Sequence, residues 1–141
     1  MGLPNFGLVA MLAVCLVPSL ANAGVVAKVD VKRQTMSVYV DGQLKHEWPV
    51  STARKGYVTP GGKYRPERLE RMWYSKKYDN APMPYAVFYN GGYAIHGTQA
   101  TRGLGRPASH GCVRLRTDNA ARFYNLVRTH GERETRILID G

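Results

Sequence analysis

From Val25 onward, apolar side chains recur at every second position. Val25, Ala27, Val29 and Val31 alternate with Lys28, Asp30 and Lys32, and Met36, Val38 and Val40 keep the same period. A period of two is that of a strand with one buried face. Asp41-Gly42 follows, a pair that accepts positive φ at both positions and so predicts a two-residue hairpin. Leu44, His46, Trp48 and Val50 supply the returning strand, with His46 at the core edge and without chemistry. The chain therefore opens as a β-meander.

Further strands are expected over 84–89 and 93–98, joined at Asn90-Gly91-Gly92, and over 136–139. One helix is signalled. Thr117 is placed to cap it, Asp118 suits its first turn, and Ala120, Phe123, Tyr124 and Val127 form one apolar face. Gly131 is placed to end it. From Ser51 to Pro84 the chain reads as irregular, with a turn at Thr59-Pro60-Gly61-Gly62. Residues 65–83 mix charge with Met72, Trp73 and Tyr74, which suits either a substrate-covering flap or an ordinary solvated connection. The expected fold is a mainly β single domain with one main helix, lying after the only cysteine beyond residue 23.

Residues 1–23 contain no Lys, Arg, Asp or Glu. A short apolar run, Phe6 to Val17, is followed by Pro18 and by Ala21-Asn22-Ala23, the pattern of a secretory signal peptide cleaved after Ala23. The expected division is 1–23 signal and 24–141 catalytic domain, exported to the periplasm or cell-wall space. Cleavage removes Cys15 and leaves Cys112 as the sole thiol. A lone thiol in an oxidising compartment is either an inert buried group or a reactive one.

Two histidines bracket that thiol, in Ile95-His96-Gly97-Thr98 and in Ser109-His110-Gly111-Cys112-Val113-Arg114-Leu115. Attack by cysteine needs the thiolate, and a neighbouring imidazole can take the proton and later return it. Gly97 and Gly111 permit close approach of backbone to a substrate. The N–H groups of Gly111 and Cys112 are candidates to face a developing oxyanion. His96, His110 and Cys112 could instead hold zinc, though the surrounding motif suits a thiol enzyme better.

These residues resemble the L,D-transpeptidase catalytic domain family (YkuD-like). The resemblance rests on His96-Gly97-Thr98 and the Ser-His-Gly-Cys block, with Thr59-Pro-Gly-Gly-Lys-Tyr64 and Met83-Pro-Tyr85 before them. It implies a β-sandwich-type catalytic domain. It also implies acyl transfer on peptidoglycan stem peptides through a thioester on Cys112, with release of D-alanine. By the same resemblance His96 is the proton donor and acceptor and the Gly97 backbone orients it. Arg114, Ser109, His110 and Gly111 become substrate-binding residues, Arg114 through a substrate carboxylate. The acceptor would be a stem amine or an outer-membrane protein, with water giving a carboxypeptidase or endopeptidase instead. No cofactor and no metal are expected, and the protein is expected to act as a monomer.

Charge supplies one further test. Twenty Lys and Arg against ten Asp and Glu leave a net charge of +10, and a 44% apolar share excludes a disordered basic tail. The charge alone would also suit a nucleic-acid binder. Export directs it instead toward anionic wall polymers and carboxylate-rich peptides.

Overall fold

The computed structural model describes residues 24–141 together with residues 2–4 and 7. The expected signal peptide and its cleavage site thus fall almost wholly outside the described residues. Strand β1 (Val25–Asp30) pairs antiparallel with β2 (Thr35–Val40) and parallel with β9 (Thr135–Asp140). The Asp41-Gly42 turn, with φ of 49° and 80°, leads into β3 (Gln43–Pro49). With β4 (Gly62–Tyr64) these strands form a five-stranded sheet in the order β3-β2-β1-β9-β4. A second sheet of four strands has the order β5-β6-β7-β8: β5 (Arg68–Ser75), β6 (Ala81–Asn90), β7 (Tyr93–Thr98) and β8 (Val113–Arg116).

Both sheets and the helix α1 (Thr117–His130) feed one core. Val25, Ala27 and Val29 meet Met36 and Val38 there, with Ile137 and Ile139 from β9. Val87, Ile95, Val113 and Leu115 come from the second sheet, and Phe123 and Val127 from the helix. The odd-numbered positions of β7 and β8 thus face inward. Alternation sends Ala94, His96 and Arg114 to the other face of that sheet.

Several expectations change. The stretch 51–84 is not irregular: it carries β4, β5 and the start of β6. Residues 65–83 form a hairpin limb, since β5 pairs with β6 from Arg68↔Phe88 to Ser75↔Ala81. Its turn is a 3-10 segment, Lys76–Tyr78, followed by Asp79 and Asn80 at φ 53° and 54°. Asp and Asn tolerate that left-handed conformation, so no glycine marks the turn. Leu44, expected with the buried row, is 53% exposed, because β3 is an edge strand with a register shift opposite Val38 and Tyr39.

Thr117 does not cap the helix. Arg116 occupies the cap position without a side-chain bond, and Thr117 is the first helical residue. The Thr117 side chain lies against Gly97, where a Cβ would stand 3.0 Å from its Oγ1 and 2.9 Å from its Cα. Gly131 does end the helix, at φ 95°, with its N–H donated to the Val127 carbonyl at 2.7 Å.

The close seat of the helix on β7 predicts a stability difference between two glycines. Gly97→Ala must displace the Thr117 backbone or the Pro84 ring, 3.1 Å away, and should cost about 1–3 kcal/mol in a denaturant titration. Gly92→Ala places its Cβ in open space and should stay within about 0.5 kcal/mol of the parent. Equal costs would show that the helix does not press on Gly97.

Candidate active site

The parallel ladder between β7 and β8 pairs Ile95 with Val113, His96 with Arg114 and Gly97 with Leu115. Cys112 immediately precedes that ladder. It packs on a small outer cluster of Met83, Ala86, Phe88 and Ala94. Cys112, His96 and Arg114 therefore share the outer face of the second sheet, with His96 diagonal to Cys112. Residues sixteen apart in the chain become neighbours through one strand pairing.

His96 is buried, and its Nδ1–H donates to the Gly97 carbonyl at 2.7 Å. That bond assigns the proton to Nδ1 and leaves Nε2 as the basic nitrogen. Burial lowers its pKa to about 4; the Gly97 carbonyl pushes the other way, and the charge of Arg114 adds to the lowering. Burial likewise raises the Cys112 thiol above its ordinary value, against the Ala94 backbone N–H and Arg114, which lower it. Thiol and imidazole are both neutral at pH 7. The Sγ points toward the Gly92 carbonyl at 3.8 Å.

The loop that carries the thiol is tied from several sides. Ser109 is fully buried; its Oγ accepts the Gly111 N–H at 3.0 Å and donates to the Cys112 carbonyl at 2.6 Å. Thr59 donates to the Gly111 carbonyl at 2.9 Å and accepts the Ala53 N–H at 3.0 Å. Gly111 sits at φ 134°, and a Cβ there would strike the Tyr93 ring at 2.6 Å. One expectation is corrected here. The Gly111 N–H is engaged by Ser109 and does not face a substrate, so of the pair proposed for an oxyanion only the Cys112 N–H is left.

His110 stands apart from the thiol and imidazole. Its ring stacks on Tyr78 at 4.0 Å and meets the edge of Tyr57 at 4.8 Å. Burial, then Arg54, Arg114 and Lys77, hold it below the usual histidine range. This stack fastens the turn of the β5–β6 hairpin to the Ser-His-Gly-Cys loop. Among the described residues, no three His, Cys, Asp or Glu side chains gather closely enough to hold a metal ion. Sequence reading missed Ala94, Thr59, Tyr57 and Tyr78 as parts of this site. Thr59, Tyr78 and Ala94 lay in segments already singled out, as a turn, a candidate flap and a strand, but none of them as a site residue.

Residues 24–139 match the family model for the L,D-transpeptidase catalytic domain, YkuD. The chain belongs to this family. Over 49 residues it is 51% identical to a probable L,D-transpeptidase, YbiS, of Escherichia coli strain K12. It is 43% identical to a probable L,D-transpeptidase, ErfK/SrfK, of Salmonella typhimurium. Each match covers 35% of this chain and 16% of the relative, so the aligned part is a small share of those proteins. Among solved structures, an L,D-transpeptidase from Stackebrandtia nassauensis is 28% identical with a TM-score of 0.73, covering 86% of this chain and 57% of that one. An L,D-transpeptidase from Mycobacterium smegmatis, at 24% identity and TM-score 0.75, shares the fold over 84% of this chain and 59% of its own.

The buried neutral His96 predicts acid sensitivity with a definite sign. Between pH 6.5 and about 4 the unfolded histidine takes a proton that the folded one refuses, so stability falls as pH falls through that window. The slope disappears below about 4, where both states are protonated. At 1.36 kcal/mol per pH unit the loss is about 3 kcal/mol. His96→Asn, whose amide can replace the Nδ1 donor, should flatten the dependence in urea titrations at pH 7 and 4.5. An unchanged slope would place the acid sensitivity elsewhere.

Proposed function

We propose that the protein is a cysteine-dependent L,D-transpeptidase acting on peptidoglycan stem peptides. The observation that carries this reading is the meeting of Cys112 and His96 on one sheet face, with His96 fixed in the Nδ1–H form. Cys112 Sγ attacks the carbonyl of the third stem residue as Nε2 of His96 removes the thiol proton. The S–C bond forms, the C–N bond to D-alanine breaks, and His96 returns the proton to the leaving amine. An amine of a second stem then attacks the thioester. Its N–C bond forms, the S–C bond breaks, and the amine proton returns through His96 to sulfur.

Because both groups start neutral, proton transfer accompanies attack instead of preceding it. Gly97 contributes its carbonyl, which holds the imidazole in the useful tautomer. The Cys112 N–H is the oxyanion donor left by the loop. Ser109 and Gly111 shape that loop, and His110 docks the hairpin beside it. The cations Arg54, Lys77 and Arg114 give the mouth a positive potential suited to carboxylate-rich peptides. The protein works in the periplasm or cell-wall space, with a stem amine or an outer-membrane protein as acceptor.

Incubation with tetrapeptide stems followed by intact-protein and muropeptide mass spectrometry tests the reading. The expected products are a Cys112 adduct equal to the stem less D-alanine, and 3→3 dimers. Cys112→Ala should form neither while keeping its melting transition, since it loses the covalent step and little packing. Tripeptides alone would identify water as acceptor. Dimers formed by the alanine variant would overturn the nucleophile assignment.

A further inference from the structure

Between residues 24 and 141, six large apolar side chains stand exposed: Leu44, Tyr57, Val58, Met72, Trp73 and Tyr74. All but Leu44 lie on two segments that meet at one ring. The turn of the β5–β6 hairpin stacks Tyr78 on His110 at 4.0 Å, and the loop of residues 54–58 brings Tyr57 edgewise to the same ring at 4.8 Å. Cations run between the apolar groups: Arg54, Lys55, Arg71, Lys76 and Lys77 are all exposed, against one acid on these segments, Asp79. The Arg54 guanidinium lies over Tyr57 at 5.1 Å and the Lys77 ammonium over Tyr78 at 5.5 Å. Single exposed apolar residues need no explanation, but a cluster marks an interaction surface.

We propose that this surface docks the domain peripherally on an anionic phospholipid bilayer. Three observations select that partner. The cations call for a negatively charged one, and a second copy of this chain, at +10, would be repelled. Met72 and Tyr74 share one face of β5 and Trp73 takes the other, so the hairpin exposes apolar groups on both faces. A flat partner would cover one face, whereas the headgroup layer of a bilayer surrounds both. Val58 and Met72 offer no ring for a sugar or a base to stack on, but aliphatic tips gain by leaving water in any direction. Tyr and Trp beside Lys and Arg are the composition of a membrane interface, with rings at headgroup level and cations on lipid phosphates. His110 lies two residues from Cys112, so docking holds the reactive loop close to the lipid surface. The proposal concerns where the domain sits and stands independently of the acyl-transfer reading.

Flotation with lipid vesicles tests it, on residues 24–141, the span that contains both sheets, the helix and the whole core. Vesicles of equal parts phosphatidylglycerol and phosphatidylcholine should bind about tenfold more tightly than phosphatidylcholine alone. Salt raised from about 0.1 to about 0.5 M should weaken that binding several-fold. Lys55→Gln with Lys76→Gln, and separately Met72→Ser with Tyr74→Ser, should each weaken it about tenfold. Leu44→Ser, at the exposed apolar position outside the surface, should leave it unchanged. All these positions are exposed, and a melting transition equal to the parent's qualifies each variant before use. No binding to the anionic vesicles overturns the proposal, as does binding that neither double variant weakens or that Leu44→Ser weakens equally. Retention on stem-free glycan strands without flotation, lost when Met72 and Tyr74 become serine, would overturn it in favour of a sugar platform.

Discussion

The site depends on one parallel pairing. β8 lies beside β7 with His96 opposite Arg114, and that register brings a thiol, an imidazole and a guanidinium to one face of one sheet. A slip of one residue would turn Arg114 into the core and Val113 outward. The register is held by the inward row of Ile95, Val113 and Leu115, all fully buried. Core packing thus places the chemistry, and the outer cluster of Met83, Ala86, Phe88 and Ala94 packs directly against Cys112. Gly97 belongs to the same constraint, because the start of α1 presses on β7 where a side chain would otherwise stand.

Burial then decides the state in which the groups wait. A thiol and an imidazole close together in water-rich surroundings can exchange a proton and stand as an ion pair. Here desolvation acts against the charged form of both, raising the thiol and lowering the imidazole. Arg114 favours the thiolate and disfavours the imidazolium, so it cannot stabilise the pair as a unit. A positive mouth around a neutral centre attracts an anionic peptide without committing the nucleophile in advance.

Much of this was legible in the chain. Period-two alternation marks β1 and β2, Asp41-Gly42 marks the turn from β2 into β3, and Gly131 marks the end of α1. The Ser-His-Gly-Cys block points to the thiol through its resemblance to the L,D-transpeptidase family. The edge strand β5 was not legible. Its residues Arg71, Met72, Trp73 and Tyr74 are all exposed, so no buried face imposes a period, and only pairing with β6 makes it a strand. Thr117 misled for a related reason. Its hydroxyl could cap a helix in isolation, but Thr117 is already the first helical residue, packed beside Gly97, and its buried hydroxyl makes no hydrogen bond. The bond between Ser109 and the Gly111 N–H arises from the local turn, and spacing alone does not reveal it.

The central claim is that burial on this sheet face keeps Cys112 and His96 neutral until substrate arrives. The rate of Cys112 alkylation by iodoacetamide against pH, followed on the Cys112 peptide by mass spectrometry, tests it most directly. The account predicts slow reaction at neutral pH, a rate that climbs only in the alkaline range above an ordinary thiol, and the same profile in His96→Asn. Fast, nearly flat alkylation from pH 5 to 8 that collapses in His96→Asn would reveal a preformed thiolate–imidazolium pair and contradict it.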